Sequence, residues 1–148
     1  MDETEAQAAL TAMEQANERL AGAMDCPPWR HAAFGAVMAA IVAAAGFREY
    51  FIFFYLPAML GVVLLVRSDR RRTGTFVNGW RRGKTLPLSI VLMGVMLVLI
   101  FAEIHARLAG LSAGTRISIG GVAFAIATAA SVIFQRIYLA ELRKDLRS

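Results

Sequence analysis

Four stretches of this chain carry no formal charge, and each is close to the length a helix needs to cross a lipid bilayer. Arg30 and Arg48 bracket residues 31–47, Glu49 and Arg67 bracket 50–66, Lys84 and Glu103 bracket 85–102, and Arg116 and Arg136 bracket 117–135. With His31 neutral, the runs are 17, 17, 18 and 19 residues long. At 1.5 Å rise per residue such helices reach roughly 26–29 Å, against a hydrocarbon core of about 30 Å. Snorkelling arginines at the ends make up the small shortfall. A soluble bundle of buried helices would show a polar face every three or four residues. The stretches Phe51 to Leu56 and Val91 to Phe101 show none. Spanning strands would alternate apolar and polar residues, and these runs do not. The sequence therefore predicts an all-α fold, an integral membrane four-helix bundle with a cytoplasmic N-terminal amphipathic helix.

Composition supports this. Hydrophobic residues make up 57% of the 148, and charged residues 18%. A soluble domain is about 45–50% apolar with glycine included, and about 25% charged. A disordered chain, a disulfide scaffold and a hydrated nucleic-acid-binding module are excluded, so no nucleic-acid partner is expected. Cys26 is the sole cysteine and forms no internal disulfide. The acidic start Met1-Asp2-Glu3-Thr4-Glu5 has no apolar run, so no cleaved secretory signal is expected there. Fourteen Arg against two Lys, with Ala-rich tracts, fit a GC-rich bacterial source.

Basic residues set the expected orientation. With four spans, the N-terminus, the loop 67–84 and the C-terminus share one side, which holds thirteen of the sixteen Arg and Lys residues. The other side holds Arg48, Arg107 and Arg116. The positive-inside rule places both termini in the cytoplasm of a cell with a bacterial inner membrane. Trp29, Trp80 and Tyr138 fall at the cytoplasmic boundary, and Phe47, Tyr50 and Phe51 at the outer one. The expected organisation is an N-terminal helix at 1–26, a four-span domain at 27–136 and a tail at 137–148. The architecture resembles small four-span bacterial membrane proteins over its whole length, without a specific motif.

Small residues recur at four-residue spacing in the first and fourth spans. Gly35, Ala39 and Ala43 form one such stripe, and Ala32, Ala36, Ala40 and Ala44 another. The fourth span carries Gly121, Ala125 and Ala129, and beside them Ala123, Ala127 and Ser131. Such stripes let helix backbones approach closely in lipid, where water supplies no driving force between helices. The first and fourth helices are therefore expected to make the closest contacts, within one chain or between two. Gly46-Phe47-Arg48-Glu49 predicts a tight turn between the first two spans. Pro57 predicts a kink in the second, and Pro87 falls harmlessly in the first turn of the third.

Residues 2–24 read as a helix ended by Asp25-Cys26-Pro27-Pro28. Leu10, Met13, Asn17, Leu20 and Met24 make a short heptad seam that serves either a coiled coil or packing on the protein's own cytoplasmic face. Residues 1–25 carry six acids and one Arg, which disfavours anionic lipid as their partner. The loop 67–84 has seven basic residues and one acid, with a hairpin expected around Asn78-Gly79. Arg70, Arg71, Arg72, Trp80, Arg81, Arg82 and Lys84 are the candidate contacts for anionic lipid headgroups or an acidic partner. The same loop also reads as a topology determinant, or as a docking site for the acidic N-terminal segment. Val132, Gln135, Leu139, Leu142 and Leu146 predict that the fourth helix continues into the tail.

No catalytic constellation emerges. Gly83-Lys84-Thr85 resembles the end of a phosphate-binding loop, but Asn78 stands where that motif needs glycine. A disulfide-forming oxidoreductase needs paired cysteines. A haem protein needs paired histidines, whereas His31 and His105 fall at opposite ends. No span interior holds an ionisable residue, which argues against ion-coupled transport. Glu103 and His105 lie about 200° apart round a helix and read as interfacial caps rather than a metal site. The expectation is a non-enzymatic multi-pass membrane protein without cofactor or metal. It acts through helix association, as a homo-oligomer or as an accessory subunit of a larger membrane complex. The candidate packing contacts are Gly35, Ala39, Ala43, Gly121, Ala125 and Ala129. The alternative is a small transporter or anionic-lipid-binding protein that uses the basic loop.

Overall fold

The computed structural model describes residues 26–73 and 85–145, together with residues 5, 7–13 and 15. Among them the regular structure is helical and no strand occurs. Four helices are long and apolar enough to cross a membrane: α1 (Pro28–Gly46), α2 (Phe51–Thr73), α3 (Thr85–Leu108) and α4 (Ala113–Asp145). A single 3-10 turn, Arg48–Tyr50, joins α1 to α2.

Local chemistry explains the helix ends. Pro27 caps α1 with extended backbone and Pro28 takes its first position, where a missing N–H is no loss. Ser112 caps α4, its Oγ accepting the Thr115 N–H at 3.2 Å. The end of α3 is a Schellman turn. Gly110 adopts φ 68°, its N–H donates to Arg107 O at 3.0 Å, and Leu111 N–H donates to Ala106 O at 2.9 Å. The expected tight turn after Gly46 is present, closed by Phe47 N–H to Ala43 O and Tyr50 N–H to Phe47 O. α2 runs helically through Pro57, and Pro87 lies in the first turn of α3.

The helices run beyond the expected spans, α3 to Leu108 and α4 from Ala113, and most consequentially at the end of α2. Residues 67–73, assigned above to the basic loop, continue α2. Arginine is a strong helix former, and no glycine or proline occurs between Arg67 and Gly74. At the other end of the chain, α4 continues to Asp145, so the tail up to that residue extends the fourth helix. The expected hairpin around Asn78-Gly79 lies outside the described residues. So do Asn17, Leu20 and Met24 of the N-terminal seam. Leu10 and Met13 of that seam are helical and both 58% exposed.

α1 is the hub. Its most extensive contact is with α4, as the small-residue stripes lead one to expect, and it also packs on α2 and α3. α3 touches α4 as well, while α2 rests on α1. The core is built from Val42, Met96, Ala123 and Ala127, flanked by Phe34, Met38, Leu92 and Leu99. Many other bulky side chains point outward. Phe53 is 71% exposed, Phe101 68% and Val98 66%. Small residues inside and large apolar ones outside invert the order that water imposes, and suit a lipid solvent. Helices of this length and composition mark the chain as a membrane protein.

Candidate functional site

The two stripes of α4 have opposite fates. Ala123 and Ala127 are fully buried and Ser131 is 9% exposed, so this stripe faces into the chain. Gly121, Ala125 and Ala129 are all exposed, and a Cβ built on Gly121 would meet nothing within 4 Å. Among the described residues this second stripe is therefore open on its outer surface. On α1, Gly35 is buried against α4. A Cβ there would collide with Thr128 Oγ1 and stand 2.9 Å from the Phe124 carbonyl oxygen. Only glycine allows that approach, because a backbone atom cannot step aside. Ala39 and Ala43 are partly buried. Of the six residues singled out for packing, Gly35 thus lies in the contact between α1 and α4. The three from α4 lie on the open face.

Polar side chains clamp the helices at both ends. Where α1 begins, Arg30 makes a two-pronged pair with Asp69 of α2, Nε to Oδ1 at 2.7 Å and Nη2 to Oδ2 at 2.5 Å. Two parallel N–H···O bonds fix the geometry more firmly than a single contact would. One residue on, buried His31 shares a 2.8 Å hydrogen bond between Nδ1 and Ser131 Oγ, tying α1 to α4. Sequence spacing did not reveal these partners, because each pair joins residues that lie at the same depth on different helices.

The opposite end corrects an expectation. Glu103 is not an interfacial cap. It is fully buried, and Arg116 Nε stands 3.4 Å from its Oε1. The guanidinium of Arg116 also lies over the Phe47 ring, 3.9 Å from the centroid. The reason for the burial is Gly46. A Cβ at that position would collide with the Glu103 carboxylate, so the absent side chain makes the room. α3 also runs six residues beyond its uncharged stretch, which draws Glu103 into the packed part of the helix. Glu103 Oε2 and Thr128 Oγ1 are the buried side-chain oxygens without a hydrogen-bond partner among the described residues.

Of the candidate lipid or partner contacts, Arg70 and Arg71 are exposed on the last turns of α2. Arg72 belongs to the same helix. Trp80, Arg81, Arg82 and Lys84 lie outside the described residues. Comparison with protein-family models, with curated proteins and with solved structures finds no match to this chain.

Proposed function

We propose that this chain is a four-helix membrane bundle that works by helix association, with itself or as an accessory subunit of a larger membrane complex, and that it carries out no catalysis. The observation that supports this most is the exposed stripe Gly121, Ala125 and Ala129 on α4. A lipid-facing helix gains nothing from small side chains, since acyl chains contact Leu or Phe equally well. A second helix does gain, because it can approach the backbone closely and recover dispersion contacts along the stripe. In this reading both termini are cytoplasmic, supported by thirteen Arg and Lys residues on that side against three on the other. The membrane is a bacterial inner membrane, and the polar pairs at the two ends hold the four helices in register.

The test is the mass of the detergent-solubilised protein by light scattering. The wild type is expected at an integral multiple of 16.1 kDa, or in a complex with a partner subunit. Ala125→Leu is expected to yield the free 16.1 kDa chain with unchanged helicity. A wild-type protein of single-chain mass overturns the reading. So does an Ala125→Leu variant that retains the wild-type assembly.

A further inference from the structure

A groove of about 790 Å³ runs between α1 and α2, and each described residue that lines it belongs to one of these two helices. Its volume falls in the range of about 300–1,000 Å³ usual for ligand sites. The floor is set by small residues, Ala33, Ala36 and Ala40 on one wall and Ala58 and Gly61 on the other. Close contact beside it comes from Gly61, where a Cβ would stand 2.7 Å from Val37 Cγ2. The lining is apolar except at one end, where Arg67, Ser68 and Arg71 meet the Trp29 indole.

Among the described residues the charge at that end is unbalanced. Asp69, the acid between the two arginines in sequence, is engaged by Arg30. Arg67 and Arg71 lie one helical turn apart, so both side chains issue from the groove's own face of α2. They are exposed, and no carboxylate partner for them occurs among the described residues. On α1 the groove extends from Trp29 to Ala40, eleven rises of 1.5 Å or roughly 16 Å, and on α2 its apolar part runs from Pro57 to Leu65, eight rises or roughly 12 Å, before the charged turn. One leaflet of hydrocarbon is about 15 Å deep, half of a core of about 30 Å.

We propose that this groove is a binding site for an anionic glycerophospholipid. One acyl chain lies along the alanine floor, and the phosphate sits between Arg67 and Arg71 with the indole N–H of Trp29 at the glycerol level. Three observations carry the assignment. The groove has the depth of one leaflet, the two cations close its polar end, and Asp69, on the same turn of α2, is neutralised by its pair with Arg30. Guanidinium groups suit phosphate because they offer paired donors in a planar fork. The site requires that the helices sit in a bilayer, but not that chains associate through α4.

Native mass spectrometry of the full chain in a neutral detergent tests it, with phosphatidylglycerol, phosphatidylcholine of the same chains and inorganic phosphate as separate arms. Phosphatidylglycerol is expected to bind roughly 30-fold more tightly than phosphatidylcholine, as two arginines near a headgroup would give. Inorganic phosphate does not displace it. The double variant Arg67→Gln/Arg71→Gln removes the preference. Ala36→Leu fills the exposed groove and weakens both lipids, whereas Arg107→Gln at the far end changes neither. Equal binding of the two lipids by the wild type overturns the proposal, as does a preference that survives the double variant. Displacement by phosphate alone overturns it in favour of a simple anion site. If the double variant alters the number of chains instead of the lipid count, the groove is an interface between copies. The oligomer mass appears in the same spectra, so this proposal and the α4 association fail separately.

Discussion

Gly46, Glu103 and Arg116 show how one missing side chain governs a charge. Glu103 is fully buried, and its attraction to Arg116 offsets only part of the cost of leaving water. Removing one partner of a buried pair costs about 3–5 kcal/mol, much of it the penalty on the charge left behind. Arg116→Gln is therefore expected to lower stability by about 3 kcal/mol in thermal unfolding in detergent. The double variant Glu103→Gln/Arg116→Gln should recover most of that loss, since no lone charge remains buried. Equal loss in the single and double variants would show that the pair is not the relevant interaction. Gly35 makes a second case, because its neighbour across the contact is a backbone carbonyl. Gly35→Ala is expected to cost about 1–3 kcal/mol through overpacking, read by the same unfolding measurement. Neither residue stood out by itself in the sequence. Gly35 was marked by its stripe, but the role of Gly46 depends on a side chain 57 positions away.

At the level of the helices, the uncharged runs located all four elements, because charge is what a hydrocarbon solvent excludes. The runs marked the lipid-exposed apolar length and not the helices themselves. α2 continues through Arg67 to Thr73, and α3 through Glu103 to Leu108, since backbone hydrogen bonding persists beyond the apolar part until a breaker arrives. Gly110 is such a breaker, with φ at 68°. Gly110→Ala should destabilise the turn between α3 and α4 by about 1 kcal/mol, and a stability equal to wild type would contradict the strained-turn argument. The pairing of α1 with α4 was legible in their alanine and glycine spacing. Which of the two α4 stripes faces inward was not, because both are equally small and only the positions of α1 and α3 distinguish them. Ala127→Leu, at a fully buried site, is expected to disrupt the monomer fold, whereas Ala125→Leu leaves its far-ultraviolet circular dichroism unchanged.

For the whole molecule, the inverted distribution of side chains is the feature that joins the fold to the proposed function. Large apolar residues meet lipid, small ones let α1 sit among its three neighbours, and polar pairs lock the two ends. A second small-residue face remains open on α4, and a leaflet-deep groove remains open between α1 and α2. Composition and spacing could suggest that helix association is the activity. They could not distinguish a face used inside the chain from one left outside. Reporter fusions at the two termini are expected to give cytoplasmic signals at both, and signals in opposite compartments would contradict the four-span topology. Oxidative crosslinking in native membranes tests the association directly, using single-cysteine variants on a Cys26→Ser background. Ala125→Cys is expected to trap a dimer of the chain, or a disulfide to a partner subunit, while Ala127→Cys, at a buried position, does not crosslink. Absence of a crosslink at residue 125, or equal crosslinking at 127, would contradict association through the open face of α4.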